Sequence, residues 1–135
     1  MLVSIVIPCY NSEQTIGKVV ELAIEEFKKL KDYECEFVLV NDYSRDNTWK
    51  SIHALTEKYP NVKGINLAKN FGQHNAIMAG MNYAQGELIL GMDDDMQNHP
   101  SQIPQFLDKM EEGYDIVFGV LNRGSFPGLK ILPVQ

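Results

Sequence analysis

The feature that most constrains the fold is a regular alternation between short, β-branched apolar runs and longer segments with apolar residues at helical spacing. The apolar runs predict five strands, at residues 2–7, 37–40, 62–67, 88–92 and 116–118. The patterns between them predict four helices, at residues 16–30, 49–59, 73–84 and 101–112. Strands that alternate with helices in this way pair in parallel through right-handed crossovers. The sequence therefore predicts an α/β fold, a mostly parallel sheet with helices on both faces.

The length of the chain, 135 residues, suits one domain with a sizeable core. We assign residues 1–120 to this domain. We expect residues 121–135 to form an irregular C-terminal tail, because glycine and proline interrupt that segment and its periodicity is weak. No apolar run approaches the length of a membrane span, and no basic segment precedes the apolar N-terminal run as it would in a signal peptide.

The charge balance narrows the class of ligand. A formal net charge of -6 argues against a nucleic-acid partner, which demands clustered lysine and arginine. An acidic protein that binds a phosphorylated ligand needs a cation to offset the repulsion, and a metal ion is the usual solution. Cys9 and Cys35 make neither a disulfide framework nor a metal-ligand set. Two reduced thiols favour a cytoplasmic protein, one that is peripheral at the inner face of the membrane if it works there.

Polar residues follow each predicted strand, at the sheet edge where open parallel sheets bind ligands. The sharpest signal follows the fourth strand, where Asp93, Asp94 and Asp95 are consecutive and repel one another unless a cation lies between them. Asp93, Asp95 and Gln97 alternate to one side of an extended segment. Two carboxylates and an amide oxygen suit Mg²⁺ or Mn²⁺. The alternative is a solvated turn that caps the next helix.

Two further residues have both a functional and an ordinary explanation. Asp42 ends the second strand, where a carboxylate can accept hydrogen bonds from a ribose or a base, but aspartate is equally common in turns. Lys69 could neutralise a phosphate, or it could be a surface charge.

Taken together, these segments resemble the family 2 glycosyltransferases of the GT-A (Rossmann-like) fold, in its nucleotide-binding half. The resemblance is carried by four stretches in the family's order and spacing: residues 3–11, 40–48, 70–72 with the alanine-rich helix that follows, and 86–97. Three features are most similar to the branch that glycosylates polyprenyl phosphates, such as dolichol-phosphate mannose synthase-like enzymes. They are the Asn41-Asp42 pair in the second stretch, the Asn70-Phe71-Gly72 sequence and the extension to Gln97.

The resemblance implies roles for individual residues. The nucleotide-binding set would be Pro8, Tyr10, Glu13, Asp42, Lys69 and Asp94. Asp93 and Asp95 match the DxD element that binds a metal-bridged diphosphate, and Gln97 matches a third metal ligand. The implied cofactor is Mg²⁺ or Mn²⁺, and the implied donor is a UDP- or GDP-sugar. The acceptor would be a polyprenyl phosphate or a growing glycan of the cell envelope, and transfer would invert the anomeric centre.

The sequence departs from the family pattern at two places. Tyr43 stands where the family usually has a small glycine, which predicts a narrower base pocket or a shifted loop. No Asp or Glu follows Asp115, so we expect the general base and the acceptor groove to lie outside this chain. The isolated chain is then expected to bind donor and to transfer sugar slowly or not at all, and its exposed apolar surface would favour a homo-oligomer.

Two other classes of protein share some of these features. A truncated, non-catalytic nucleotide-sugar-binding module or subunit would have the same loops. A phospho-receiver domain has a similar length and an acidic pocket, but it needs acids at the end of its first strand. Here that strand ends in Pro8-Cys9, which argues against a receiver.

Overall fold

The computed structural model describes residues 1–97, 99–122 and 128–134. Its strands are β1 Leu2–Cys9, β2 Glu34–Asn41, β3 Val62–Asn66, β4 Leu88–Gly91, β5 Ile116–Asn122 and β6 Gly128–Val134. Its helices are α1 Ile16–Lys28, α2 Thr48–Lys58, α3 Gln73–Met81 and α4 Ile103–Glu111. A single turn of 3-10 helix, Pro100–Gln102, leads into α4.

The first four strands form one parallel sheet in the order β3-β2-β1-β4. In its register Ile5 lies between Phe37 of β2 and Leu90 of β4. From Val3 to Cys9, β1 is buried on both faces, as a central strand of a parallel sheet must be. Because all four strands are parallel, the loops that follow them lie at the same edge of the sheet. The strand order is not sequential: after β3 the chain crosses to the other side of β1, where β4 pairs, and such a switch opens a crevice between the loops after β1 and β4.

Helices cover both faces of the sheet, which confirms the predicted architecture. Alternate residues of β1 and β2 face α1, α2 and α4, and they build the larger core cluster around Ile5, Ile7 and Phe37. The opposite face holds a smaller cluster in which Val6, Val38 and Val40 pack on α3.

The approach of α3 to the sheet is close because small residues face it. Ala76 is fully buried, and Gly80 is buried one turn later. A β-carbon at Gly80 would lie 2.5 Å from Val6 Cγ1 and 3.0 Å from Val40 Cγ2, so only glycine fits at this distance from the sheet. The position of α3 is therefore fixed by packing, and with it the residue at the start of the helix, Gln73.

The C-terminal part departs from the predicted arrangement. Strand β5 pairs with β6 in a separate antiparallel sheet and does not join the parallel one. The prediction of an irregular segment at residues 121–135 is wrong for residues 121–122 and 128–134, which are strand; residues 123–127 and 135 lie outside the described part. Leucine, isoleucine and valine dominate residues 129–134, and their β-propensity outweighs Pro133 once β5 offers a partner strand. A boundary after residue 120 would fall inside β5.

A buried carboxylate ties the turn after α3 to the sheet. Glu36 is 6% exposed, and its Oε1 accepts hydrogen bonds from Ser4 Oγ and from the Gln85 N–H, both at 2.6 Å. Its Oε2 lies 3.1 Å from Lys63 Nζ. Burial alone would raise the pKa of Glu36, but these hydrogen bonds and the lysine charge outweigh it and hold the pKa below the ordinary value of 4.5.

This network predicts a pH-dependent contribution to stability. A carboxyl group whose pKa is lowered by folding stabilises the protein above its unfolded pKa, and that stabilisation is lost as the pH falls through the folded value. Glu36→Gln is expected to lower the free energy of unfolding by about 2 kcal/mol at neutral pH. The deficit should shrink below pH 4.5. Urea unfolding of both proteins across this range measures it, and a deficit that does not change with pH would contradict the assignment.

Candidate functional site

A cleft of about 380 Å³ opens at the carboxyl ends of β1, β2 and β4. Four loops contribute to its wall, as the sequence predicts. The residues that line it are Pro8, Cys9, Tyr10, Asp42, Asn70, Gly72, Gln73, Asp93, Asp94, Asp95 and Gln97. Among the described residues, the lining of this cleft includes three aspartates of the fourth loop and Asp42, and no Lys, Arg or His.

The loops after β1 and β2 are locked together by hydrogen bonds. The Asn11 N–H donates to Ser44 Oγ at 3.0 Å, and the Arg45 N–H donates back to Asn11 Oδ1 at 3.0 Å. One residue further, the Ser12 N–H donates to Thr48 Oγ1 at the start of α2. These contacts fix the backbone beside Tyr10, whose side chain is 47% exposed in the cleft wall.

Tyr43 occupies a backbone conformation that favours glycine. Its φ is +57°, in the left-handed region, and the buried Asn41 holds the turn by accepting hydrogen bonds from the Ser44 N–H and hydroxyl. A tyrosine thus adopts the left-handed conformation at this position. The Tyr43 side chain is exposed and lies outside the lining of the cleft.

Asp42 connects the second loop to the third. The side chain is 4% exposed, and each carboxylate oxygen accepts a backbone N–H: Phe71 at 2.8 Å and Gly72 at 3.0 Å. Its own carbonyl accepts from Asn70 Nδ2. A carboxylate that receives two N–H groups is a strong local clamp. In this structure the side chain of Asp42 therefore orders the segment that begins α3.

The three acids of the fourth loop have different surroundings. Asp94 turns toward the first loop: its Oδ2 accepts the Tyr10 N–H at 2.9 Å, and its carbonyl accepts from Thr15 Oγ1 at 2.6 Å. Asp95 Oδ1 accepts the Gln97 N–H at 3.2 Å. Asp93 accepts a hydrogen bond from Gln73 Nε2 at 3.3 Å.

The electrostatics of Asp93 reflect this crowding. Partial burial, together with the charges of Asp95 and Asp94, raises the pKa of Asp93, while the hydrogen bond from Gln73 acts in the opposite direction. These surroundings thus make the ionisation of Asp93 less favourable than in water. A cation near these carboxylates would make it more favourable.

Most of the predicted site residues meet in the cleft, and two do not. Pro8, Tyr10, Asp42 and Asp94 of the predicted nucleotide-binding set line it, as do the predicted metal ligands Asp93, Asp95 and Gln97. Glu13 and Lys69 lie outside the lining. The backbone of Glu13 is bonded to Asp46 and Ser51 of the second loop and α2, and the Lys69 ammonium lies 5.2 Å from the centre of the Phe71 ring.

Four lining residues had no predicted role in the site: Cys9, Asn70, Gly72 and Gln73. Cys9, Asn70 and Gly72 lie in the stretches that carry the family resemblance, and Gln73 begins the predicted third helix. Cys9 is fully buried, and burial together with the charge of Asp94 raises the pKa of its thiol far above its ordinary range. This thiol is therefore a protonated part of the wall and not a nucleophile.

The donor set fits a hard divalent cation that is completed by its ligand. Within residues 1–97, 99–122 and 128–134, no group of three or more His, Cys, Asp or Glu side chains is arranged to hold a metal ion. Asp94 is directed to Tyr10, which leaves Asp93, Asp95 and the amide of Gln97 as candidates. Mg²⁺ is commonly held by one or two carboxylates, with water and phosphate oxygens in the other positions. An incomplete set of this kind suits such a cation.

Comparison with known proteins decides the family. The model of the family described as "Glycosyl transferase family 2" matches residues 4–131, nearly the whole chain. The chain belongs to this family. The family match agrees with the resemblance in the sequence, and it leaves no place for a phospho-receiver.

This glycosyltransferase family 2 chain is similar in sequence to a transferase that acts on a polyprenyl phosphate according to its name. It is 45% identical over 133 residues to the undecaprenyl-phosphate 4-deoxy-4-formamido-L-arabinose transferase of Shewanella sediminis, covering 97% of this chain and 40% of that protein. It thus spans less than half the length of this relative.

Among solved structures, S. aureus TarS in complex with UDP-GlcNAc superposes with a TM-score of 0.64 and 30% identity, covering 92% of this chain and 36% of that one. A mannosyltransferase from Pyrobaculum calidifontis, in complex with GDP-Man and Mn²⁺, superposes with a TM-score of 0.60 and 23% identity, covering 69% and 27%. The fold of this family 2 chain is GT-A. Within its described part, no helix is both long and apolar enough to cross a bilayer.

Proposed function

We propose that the chain is the nucleotide-sugar-binding domain of a glycosyltransferase, and that a divalent cation bridges its acidic loop to the diphosphate of the donor. The observation that carries this proposal is the cleft itself. Asp93, Asp95 and Gln97 line it together with residues at the ends of β1 and β2, and its lining includes no cationic side chain of the described residues. Such a surface would repel a diphosphate unless a cation came with it.

The metal-binding residues in this proposal are Asp93, Asp95 and Gln97. Mg²⁺ or Mn²⁺ bound there would act as a Lewis acid and offset the charge that develops on the departing nucleoside diphosphate. The Pyrobaculum mannosyltransferase, which has the same fold, was solved with GDP-Man and Mn²⁺, which supports this choice of cofactor. Asp94 contributes indirectly, because its bond to the Tyr10 N–H holds the first loop against the fourth.

The nucleoside would lie over Pro8 and Tyr10. The exposed ring of Tyr10 offers a face for a base or ribose, and Asp42 shapes the opposite wall by ordering residues 70–72. Glu13 and Lys69, which also belong to the proposed nucleotide-binding set, would touch a donor only where it extends beyond the cleft. UDP- and GDP-sugars are both candidate donors, since the relatives include binders of each.

The acceptor we favour is a polyprenyl phosphate. The Shewanella relative is named for undecaprenyl phosphate, and a phosphate acceptor is already anionic, so it needs no general base to remove a proton. Its oxygen would attack the anomeric carbon in line with the leaving diphosphate and invert that centre. The enzyme would then work at the inner face of the membrane in the synthesis of envelope glycans, with the residues that position the acceptor still to be assigned.

Calorimetry tests the donor-binding claim. UDP, GDP and their sugars are titrated into the 135-residue chain with and without Mn²⁺, and into Asp95→Ala. Asp108→Ala serves as the matched control, because Asp108 is an exposed carboxylate on α4 outside the cleft. We expect one nucleotide to bind only with Mn²⁺, Asp95→Ala to weaken that binding by at least about 10-fold, and the control to bind as the wild type does. Equal binding with and without metal would contradict the proposal.

Sugar transfer to undecaprenyl phosphate, measured on the same samples, separates an enzyme from a non-catalytic nucleotide-sugar-binding module. Transfer that requires both Mn²⁺ and Asp95 identifies a complete enzyme. Donor binding without transfer identifies a module that needs a partner or a further segment.

A further inference from the structure

Gln73, a residue with no predicted role, joins the start of α3 to the acidic loop. It is the first residue of α3, its side chain lines the cleft, and its Nε2 donates to Asp93 Oδ1 at 3.3 Å. Of the three acids in this loop, Asp93 is thereby linked to the third loop, while Asp94 is linked to the first loop and Asp95 to its own.

The position of Gln73 is fixed from two sides. The residues before it, Phe71 and Gly72, donate their N–H groups to the two carboxylate oxygens of Asp42. Further along α3, Gly80 is pressed against Val6 and Val40 with no room for a β-carbon. The first residue of the helix therefore has little freedom to move along or away from the sheet.

We propose that Gln73 is a positioning residue that orients the Asp93 carboxylate for the cation, and that Asp42 acts on the same carboxylate indirectly by holding the start of α3. This inference rests on the proposed function. The geometry supports it because the amide of Gln73 is a neutral donor. It can fix one oxygen of Asp93 without supplying a competing positive charge.

The chemistry of the contact suits this role. A ligand carboxylate is oriented by a hydrogen bond from a neighbouring group, and losing such an outer partner typically costs 10–100-fold in metal affinity. In the protein without metal, the same bond partly offsets the mutual repulsion among Asp93, Asp94 and Asp95. Two consequences can be separated: Gln73 should affect cation affinity, and it should do so only through Asp93.

The test is a double-mutant cycle on Mn²⁺ affinity, read from water-proton relaxation with saturating UDP or GDP. Gln73→Met removes the donor and keeps the length of the side chain. His74→Met, the same replacement at the adjacent exposed position of α3, is the matched control. Each is also combined with Asp93→Asn and with Asp95→Asn. The free energy of unfolding of every variant is measured by urea to show that α3 remains folded.

We expect Gln73→Met to weaken Mn²⁺ binding by about 10-fold and His74→Met to leave it unchanged. The effect of Gln73→Met should persist with Asp95→Asn and vanish with Asp93→Asn, because the two residues act as one unit. A purely structural role would give the same loss in both backgrounds, and that result, or an unchanged affinity, overturns the inference while the proposed function stands. A wild type that binds no Mn²⁺ with either nucleotide overturns both.

Discussion

Asp93→Ala is expected to weaken Mn²⁺-dependent binding of UDP or GDP by about 100-fold. Removing a group that only hydrogen-bonds a metal ligand costs up to about 100-fold in metal affinity, and removing the ligand itself should cost at least as much. Burial and the charges of Asp95 and Asp94 raise the pKa of Asp93, and a cation would relieve the repulsion among these carboxylates. Removing its carboxylate therefore removes both a ligand and much of the charge that attracts the cation. Calorimetry with each nucleotide and Mn²⁺ gives the affinity.

A stability measurement accompanies this binding experiment. Because the pKa of Asp93 is raised in the folded protein, ionised Asp93 opposes folding at neutral pH. Asp93→Ala should therefore leave the free energy of unfolding of the metal-free protein unchanged or higher. A measurement with that result would exclude unfolding as the cause of lost binding. Asp108→Ala, on the exposed side of α4, should change neither quantity. A variant that binds nucleotide with Mn²⁺ as tightly as the wild type would remove Asp93 from the site.

Gly80→Val is expected to have the largest effect on stability, a loss of about 3 kcal/mol in the free energy of unfolding. A β-carbon alone would lie 2.5 Å from Val6 Cγ1, and the branched side chain would add atoms against Val40. Both neighbours belong to the rigid centre of the parallel sheet, so α3 must move outward. Urea unfolding measures the loss.

The matched control is Gly17→Val, in α1, where nothing lies within 4 Å of the new β-carbon. This variant should unfold at nearly the wild-type urea concentration, since valine is at least as favourable in a helix as glycine. If Gly80→Val remains folded, the outward shift of α3 should also separate Gln73 from Asp93 and weaken Mn²⁺ binding. Equal stabilities for the two valine variants would show that α3 does not press on the sheet as described.

The parallel core could be predicted from the sequence because its signals are local. Continuous apolar runs mark the central strands, which are buried on both faces, and apolar residues at helical spacing mark the helices between them. The acidic loop could be located because three carboxylates end an apolar strand at a known edge of the sheet, although that strand, β4, is a partly exposed edge strand and not a buried one. The antiparallel pair of β5 and β6 could not, because glycine and proline masked a strand whose formation depends on its partner.

Contacts between loops were beyond the reach of sequence patterns. Asp42 was predicted as a base-contacting residue or a turn former. Its carboxylate accepts hydrogen bonds from the backbone of Phe71 and Gly72, which follow it by 29 and 30 positions in the sequence. Asp94 is bonded to Tyr10 across 84 positions. Such hydrogen-bond partners depend on the backbone conformation of each loop, which cannot be predicted from the spacing of residues in the sequence. Gln73 was missed for the same reason: the start of a helix at residue 73 could be predicted, but the contact of its side chain with Asp93 could not.

The central claim is that one cation contacts both the acidic loop and the diphosphate. Pulsed EPR of bound Mn²⁺ tests this directly, because ³¹P nuclei of a coordinated diphosphate couple to the metal. With wild-type chain and UDP or GDP, we predict protein-bound Mn²⁺ that shows ³¹P coupling, and much less of this protein-bound species at the same concentrations with Asp93→Ala or Asp95→Ala. Nucleotide that binds the wild type while Mn²⁺ stays in bulk water, without phosphorus coupling, would contradict the account.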